Sequence, residues 1–586
     1  MFKYLGELFL KKRIIFDRLV VLVFFVILSI LYVYPLQKQG IIYRSDDLAF
    51  HINRITELIY DFKNGSFLPY IYTHSFNKVC FPLGIFYPWL TLIPFVLFSI
   101  LLGNNILGIY AGFAFYTFLT LLFTYVCTRR LEKSKSQAIL TSVIYAFCTY
   151  RTINAFTRFA LGEFLGMVFL PLCLYGFYAV MFGNKRDWPF LAFGMSFIIL
   201  SHVLSTFITI IFLIVLFLIF IWYVLDIIST FKYLIISSFV AITSSSIFIF
   251  PFLEQELFQK NNSASTFNIS GTANPMDNMF LSALSNSMER TIAGNGYPYS
   301  IGIVLLVILL LGLVLFKRFA TLTKIIYLIG FTTFVMATSL FPWGLFQHTV
   351  LSVIQFPFRL LIITSCCLAF VGGEEFTLTK QDLIGNNFSK SKTILLTLSC
   401  IGLVILPWYS GIDQLKRTSN IISPNQPDWD VPNKPYISNN QKYNGYYAWH
   451  IDQYTPKQTI PYFNQINNHI AIINGEKVKL KLDKISVKPN EQIYTNKNIK
   501  AGASVDLPVA LYKNLHVYQN GKDLALIKSK RNTIAFKAIS NGSVVVKYVP
   551  SLIDKLGTLL SIMTWLIAII YAIYAKFRKT KFKVGS

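Results

Sequence analysis

The chain has 586 residues, of which 54% are hydrophobic, with a mean hydropathy of +0.54 and a formal net charge of +26. This composition leaves too few polar residues to cover a soluble protein of this size, so it excludes a soluble globular enzyme and predicts a polytopic α-helical membrane protein. The positive charges cluster in short loops between apolar runs, as membrane topology requires, and therefore do not predict nucleic acid as a partner.

Thirteen apolar runs predict the helices in chain order: 19–35, 85–102, 106–128, 138–150, 164–182, 188–201, 207–225, 233–253, 301–316, 325–341, 360–371, 393–409 and 557–575. If the second run crossed the membrane, the basic segments 129–135, 185–186, 317–318 and 576–583 would face outward, against the positive-inside rule. Three prolines (Pro82, Pro88 and Pro94) also favour a broken segment there. We therefore predict about twelve spans, an outward interfacial or re-entrant helix at 85–102, and both termini in the cytoplasm.

The runs divide the chain into three predicted parts. Residues 1–409 form a transmembrane module with outward loops at 36–105 and 254–300. Residues 410–550 are polar, with alternating strand patterns at 478–482 and 543–549 and Asn-Gly turns at 520–521 and 541–542, which predict a small extracytoplasmic β-rich domain. Residues 551–586 form the last helix and a basic cytoplasmic tail.

Adjacent acids, Asp46 and Asp47, follow the first span and open a helical pattern. Either carboxylate is suited to capping that helix, to acting as a general base for an incoming hydroxyl, or to holding a divalent cation such as Mg²⁺ or Mn²⁺. A solvated loop is the plain alternative. The residue pattern alone leaves these roles open.

Further polar residues fall near span ends on the same predicted outer face. They are His51, Arg54, Arg151, Arg158, Glu163, His202, Glu254 and Arg359. The arginines are suited to binding phosphate through paired donors, or to a structural role as interfacial anchors or salt-bridge partners. His202 is suited to hydrogen-bonded packing, to phosphate binding or to proton transfer. Together these residues predict an outward-facing site between helices.

The order of these features resembles the GT-C class of polytopic glycosyltransferases: a first span, an outward loop with an acidic pair, the segment Phe86-Tyr87-Pro88, and a span ending in a basic loop. Segments 46–54 (DDLAFHINR), 158–163 (RFALGE), 201–202 (SH) and 355–359 (QFPFR) resemble more closely the bacterial YfhO-like group. That group overlaps membrane proteins labelled "6-pyruvoyl-tetrahydropterin synthase-related".

The resemblance implies a GT-C-like fold in a bacterial plasma membrane, with its active site on the outer face. It implies a polyprenyl-phosphate sugar as donor and an envelope polymer, such as a teichoic acid or other surface glycan, as acceptor. Asp46 or Asp47 would be base or metal ligand, and Arg158 and Arg359 would bind phosphate. The acids are adjacent rather than spaced as Asp-x-Asp, so the resemblance leaves the metal open. A separate enzyme would load the lipid carrier, because the chain shows no nucleotide-sugar motif.

Two other functions remain as alternatives at this point. A transporter or lipid flippase would be expected to show internal repeats and ionisable residues at mid-membrane depth. A non-catalytic envelope scaffold would act through its β-rich domain. The aromatic segment 443–450, early in the polar part of the chain, is suited to the core, to an interfacial belt or to a sugar-stacking surface.

Overall fold

The computed structural model describes residues 2–262, 267–289, 299–384, 390–418, 436–437, 439 and 452–582; the aromatic segment 443–450 lies outside these ranges. Its α-helices are Phe2–Gln37, Leu48–Lys63, Leu83–Phe86, Ile93–Leu102, Asn105–Arg130, Lys135–Ala146, Thr149–Thr152, Leu161–Met181, Trp188–Ile199, Val203–Phe220, Ile227–Ser244, Ser246–Phe258, Met276–Leu284, Gly302–Leu315, Thr321–Met336, Leu361–Ile384, Lys390–Thr418, Phe463–Asn467 and Leu552–Phe582.

Within the described ranges, eight helices are long and apolar enough to cross a membrane, beginning at residues 16, 105, 161, 203, 227, 357, 391 and 552. Leu90–Leu102 and Thr321–Met336 are shorter apolar helices. The prediction of a polytopic helical protein is confirmed, while the count of about twelve spans stays a prediction. One predicted span was wrong in detail: the run 233–253 breaks at Ser245, where consecutive hydroxyl residues offer the backbone alternative hydrogen bonds.

Local sequence signals set the helix ends. The Asn104 side chain accepts a hydrogen bond from the Leu107 N–H at 3.0 Å and starts helix Asn105–Arg130. Arg129 and Arg130 lie in the last turn of that helix, where their positive charges stabilise the negative end of its dipole. Ser134 then caps the following helix by accepting from the Gln137 N–H. The basic loop is therefore a tight helix–helix connection.

The segment predicted to be broken is indeed in pieces: Leu83–Phe86, a 3₁₀ turn at Leu90–Leu92, and Ile93–Leu102. It packs closely against helix Asn105–Arg130. At the contact there is room only for a glycine, since a Cβ at Gly108 would lie 2.2 Å from Ser99 Oγ. This packing places Tyr87 beside the site described below.

The β-rich domain consists of two antiparallel sheets. Their strand orders are Thr533–Lys537, Ser504–Ala510, Ile470–Ile473 and Glu476–Lys479 in one sheet, and Ile485–Lys488, Glu491–Thr495, Ser543–Tyr548, Leu515–Gln519 and Lys522–Asp523 in the other. Buried and accessible residues alternate along Leu515–Gln519 and Ser543–Tyr548, so each strand turns one face to the core. The Asn520-Gly521 turn forms a hairpin, as expected, whereas Asn541-Gly542 connects the two sheets.

This domain docks on the loop that follows helix Leu48–Lys63 through side chain to backbone hydrogen bonds. Asn490 accepts from the N–H groups of Tyr70 and Ile71 and donates to the Leu68 carbonyl, at 2.8–3.0 Å. Gln492 Nε2 donates to the Thr73 carbonyl at 2.8 Å. The short strand Ile42–Tyr43 pairs with Tyr436–Ile437. The loop that carries the acidic pair is therefore held between the helical bundle and the β-rich domain.

Candidate active site

The acidic pair is tied by its backbone to the end of a π-helical turn, Ile153–Thr157. The Asp46 N–H donates to the Thr157 carbonyl at 3.3 Å, and the Asp47 N–H donates to the Arg158 carbonyl at 2.8 Å. Ser45 Oγ donates to the Phe156 carbonyl at 2.5 Å. These contacts bring two segments more than one hundred residues apart in sequence into register, and they place the Asp47 carboxylate near Arg158.

The two carboxylates have different surroundings. The Tyr299 hydroxyl donates to Asp46 Oδ2 at 2.5 Å, and Tyr299 itself is 1% exposed. Asp47 occupies the N-cap position of helix Leu48–Lys63 but makes no capping hydrogen bond with its side chain, which is exposed to water. The capping role considered for the pair is therefore absent at Asp47.

The protein around Asp47 changes its acidity. Desolvation by the surrounding protein raises the pKa of Asp47 to about 6, while Arg158 lowers this pKa and Asp46 raises it. Asp47 remains exposed to water, so the desolvation is incomplete. A carboxylate with a pKa near 6 is a better proton acceptor than an ordinary aspartate and is still ionised at neutral pH.

Glu163 lies between two arginines at the start of helix Leu161–Met181. Arg158 Nη1 lies 2.8 Å from Glu163 Oε2, and Arg359 Nε lies 3.6 Å from the same oxygen. The Tyr150 hydroxyl and the Asn154 amide donate to Glu163 Oε1. Glu163 is 3% exposed, so it carries a buried negative charge that is paired and hydrogen-bonded.

Arg359 is oriented by its own loop. Its Nη1 donates to the Ile354 carbonyl at 2.8 Å and to Gln355 Oε1 at 2.7 Å. The 3.6 Å to Glu163 is too long for a hydrogen bond, and Nε is buried without a hydrogen-bond partner among the described residues. Gln355, like Phe159 next to Arg158, has a positive φ that is uncommon for residues other than glycine. Backbone strain thus occurs beside both arginines.

His51, Arg54 and His202 complete one wall of the site around the Tyr87 ring. The Arg54 guanidinium lies 4.0 Å from the centre of that ring and 3.2 Å from His51 Nδ1. His202 Nδ1 lies 2.8 Å from Ser205 Oγ. Burial and Arg54 lower the pKa of His51, and burial and Arg359 lower that of His202 to about 3, so both imidazoles are neutral at pH 7.

Glycine is required where helix Leu161–Met181 meets this wall. A Cβ at Gly162 would lie 2.6 Å from the Tyr87 hydroxyl and 2.7 Å from His202 Cδ2. Because Gly162 packs this closely against Tyr87 and His202, the next residue, Glu163, lies at the site.

Two polar residues from the sequence prediction lie elsewhere. Arg151 is fully buried and donates to Thr117, Thr120 and the Ala146 carbonyl, with the Phe164 ring 4.4 Å from its guanidinium. It therefore supports the packing of three helices rather than joining the acids. Glu254 binds Lys513, Asn514 and Ser551 and joins the bundle to the β-rich domain.

The sequence prediction missed several residues that shape the site. Tyr299, Tyr150 and Asn154 contact the carboxylates directly, and Tyr87 stacks on Arg54. Tyr87 belongs to the Tyr-Pro segment already noted, which was its only signal. Tyr299 lies outside the segments whose apolar residues recur with a helical or strand period. No sequence pattern could therefore have connected it with Asp46, 253 residues away.

Glu57 and Asp61 lie further along the same helix, Leu48–Lys63. Glu57 accepts hydrogen bonds from the N–H groups of Thr73, His74 and Ser75. Asp61 is fully buried, and neither of its carboxylate oxygens has a hydrogen-bond partner among the described residues. Burial and the nearby Glu57 raise the pKa of Asp61 to about 9. The far end of the helix therefore carries a neutral Asp61 at pH 7.

The donor set fits a divalent cation poorly. Mg²⁺ and Ca²⁺ prefer six or more oxygen ligands, whereas the pair offers two carboxylates, Asp46 hydrogen-bonded to Tyr299 and Asp47 near Arg158 and Arg359. Among the described residues, no group of three or more His, Cys, Asp or Glu side chains is arranged to hold a metal ion. We therefore assign no step of the chemistry to a metal.

The chain is similar to a protein family and to a solved structure. A family described as "Bacterial membrane protein YfhO" matches residues 47–427. The solved structure of the arabinofuranosyltransferase AftD from mycobacteria aligns with a TM-score of 0.41 and 12% identity, over 90% of this chain and 40% of that chain. This chain thus spans less than half the length of AftD. No curated protein matches the sequence.

Proposed function

The chain belongs to the YfhO family of bacterial membrane proteins, and from this premise and the geometry of the site we propose that it is an integral-membrane glycosyltransferase. It would transfer a sugar from a polyprenyl-phosphate donor to a cell-envelope acceptor. The proposal rests chiefly on one observation: a water-accessible carboxylate, Asp47, is held beside Arg158, which shares Glu163 with Arg359.

Each group has a role in this displacement. Asp47 accepts the proton of the acceptor hydroxyl, whose oxygen attacks the anomeric carbon of the donor sugar. The bond between that carbon and the phosphate oxygen breaks, and the polyprenyl phosphate leaves with the electron pair. Arg158 and Arg359 stabilise the charge that develops on the phosphate. Inversion at the anomeric carbon is the outcome that the family resemblance implies.

The electrostatics of the arginines support a phosphate ligand. A guanidinium N–H that is buried without a partner is costly, and Arg359 Nε is in that state. A phosphate oxygen between Arg158 and Arg359 would give that N–H a partner and would add a charge-assisted hydrogen bond. The neighbouring Asp46, held by Tyr299, raises the pKa of Asp47 and so helps to maintain the basicity of Asp47.

The proposed orientation follows from charge. The site lies at the helix ends opposite the basic loops around Arg130 and Lys185, which the positive-inside rule assigns to the cytoplasm. The site and the β-rich domain would then face outward from the plasma membrane, with both termini inside. Nucleotide sugars are absent there, so a separate enzyme would load the lipid carrier, and the acceptor would be a teichoic acid or another surface polysaccharide.

The test compares envelope glycans by mass spectrometry from cells that carry the wild-type gene, a deletion, or Asp47→Asn. We expect the deletion and Asp47→Asn to lose the same sugar-sized mass from one polymer. Lys537→Asn, in the β-rich domain far from the site, is the matched control and should keep it. An unchanged glycan profile in the deletion strain would refute the proposed glycosyltransferase activity. The presence of the sugar in cells that carry Asp47→Asn would refute the assignment of Asp47 as the base.

A further inference from the structure

A large cavity lies between the helices at the end of the bundle opposite the site. It has a volume of about 850 Å³ and is lined mainly by apolar side chains, among them Leu131, Phe182, Leu216 and Ile329. The cavity is not enclosed but open on one side. An apolar recess of this size in a membrane-spanning bundle is expected to be filled by the apolar part of a ligand.

The cavity is separate from the proposed active site. Helix Leu161–Met181 carries Glu163 at its first turn, whereas its cavity-lining residues begin at Pro171. Eight residues of helix correspond to about 12 Å along the axis. The last lining residue of this region, Phe182, lies about 28 Å from Glu163 by the same measure.

The volume and the wall suggest the kind of ligand. An apolar cavity of about 150 Å³ holds one benzene molecule, so a volume of 850 Å³ accommodates about thirty carbon atoms. That is the size of the two acyl chains of a diacyl lipid. Helix Val203–Phe220, which forms one wall, has few buried residues, so the cavity lies at the lipid-facing side of the bundle.

One rim of the cavity carries basic residues that are close in sequence to the lining residues Leu131, Phe182 and Thr321. Four of these basic residues are paired with acids: Arg130 with Asp187, Lys133 with Glu374, Lys185 with Asp226 and Arg318 with Asp382. Arg186 and Lys317 take no part in these pairs. Arg186 and Lys317 are both exposed. Basic side chains next to a membrane attract anionic lipid headgroups. The apolar cavity and its basic mouth therefore match an acidic headgroup on two acyl chains.

We propose that this cavity binds an anionic phospholipid of the cytoplasmic leaflet, with its acyl chains between the helices and its headgroup at the basic loops. The bound lipid fills the space between helices Asn105–Arg130, Leu161–Met181, Val203–Phe220 and Thr321–Met336. The binding does not depend on the proposed transferase activity, because the two sites lie at opposite ends of the bundle.

The experiment measures lipid retained by the purified full-length protein, using native mass spectrometry after exchange into phosphatidylglycerol or phosphatidylcholine. Leu216→Trp fills the cavity, whereas Leu218→Trp, on the same helix but 61% exposed, is the matched control. We expect the wild type and Leu218→Trp to retain phosphatidylglycerol, and Leu216→Trp to retain about tenfold less, as added volume competes with the ligand.

A second pair of variants tests the headgroup without changing the cavity. Arg186→Gln and Lys317→Gln remove one positive charge each from exposed positions at the mouth and should each weaken phosphatidylglycerol binding about fivefold, since one basic residue near an anionic surface contributes that factor. Equal retention by Leu216→Trp, equal retention of the two lipids by the wild type, or displacement of phosphatidylglycerol by polyprenyl phosphate would overturn the proposal.

Discussion

Replacing the two acids one at a time distinguishes their proposed roles. Asp47→Asn removes the group that accepts the proton, and loss of a general base lowers a rate by about 10²–10⁴-fold. Asp46→Asn leaves that base in place but removes a neighbouring negative charge that raises the pKa of Asp47. We therefore expect Asp46→Asn to retain at least about ten times more activity than Asp47→Asn.

The pH dependence makes the same prediction quantitative. The base must be ionised, so the wild-type rate should rise with pH through about 6, the raised pKa of Asp47, and level off above it. With the charge of Asp46 removed, the rising limb should move to lower pH. The shift has this sign because a negative neighbour disfavours ionisation of Asp47, and its loss favours it.

The assay follows transfer of the sugar identified by glycan mass spectrometry, in membranes from cells expressing each variant at equal levels. Tyr299→Phe serves as an intermediate case, because it keeps both acids and removes only the 2.5 Å hydrogen bond to Asp46. An active Asp47→Asn with an inactive Asp46→Asn would refute the reasoning, as would a wild-type profile that is flat between pH 5 and 7.

The remaining predictions concern stability, packing and metal. Glu163→Gln leaves two arginines without their buried partner and should destabilise the protein by about 3 kcal/mol, measured by thermal unfolding. Gly162→Ala should abolish activity with the protein still present in the membrane, because the new methyl group meets Tyr87 and His202. Because the pKa of Asp61 is raised in the fold, its stabilising contribution is complete at low pH and is lost as pH rises through about 9. Asp61→Asn should remove that loss, at most about 1.4 kcal/mol per pH unit, in unfolding curves between pH 6 and 9. EDTA should leave sugar transfer within twofold of its untreated rate; a metal-restored loss would return Asp46 and Asp47 to the role of ligands.

Hydropathy predicted the helices well, because the bilayer imposes one length and one polarity on every span. Hydropathy was less informative where a run mixes apolar and hydroxyl residues, as at 233–253. There the hydroxyl groups of Ser244, Ser245 and Ser246 bind residues of neighbouring helices. The broken segment at 85–102 was predictable because proline acts locally on the backbone. Alternation likewise predicted the β-rich domain, but not the distribution of its strands between two sheets.

The site was only partly predictable, for a reason that differs between residues. Asp46, Asp47, Arg158 and Arg359 stand out because charge near an apolar run needs an explanation. Arg151 carries the same signal and yet packs among threonines and rings, since one-dimensional position does not show which way a side chain points. Polar residues such as Asn154 give no signal at all, because their importance comes only from contact with Glu163.

The helix Leu48–Lys63 connects the proposed chemistry to the β-rich domain. Its first residues follow Asp47, and one turn further His51 and Arg54 form the wall of the site. Its middle is fixed by Glu57, which binds the backbone of residues 73–75. Gln492 of the β-rich domain binds that same backbone at Thr73.

A displacement of the β-rich domain would therefore reach the site through a chain of direct contacts rather than through the membrane. At the first end of this helix, backbone hydrogen bonds to residues 157 and 158 fix Asp46 and Asp47 against the π-helical turn. Further along, Glu57 binds the loop at 73–75, and Gln492 of the β-rich domain binds the same loop at Thr73. Because a misplacement of about 1 Å can cost a hundredfold in rate, we expect the β-rich domain to help position the site. Glu254 of helix Ser246–Phe258 holds that domain from the bundle side, because it binds Lys513 and Asn514 as well as Ser551, which directly precedes the last helix.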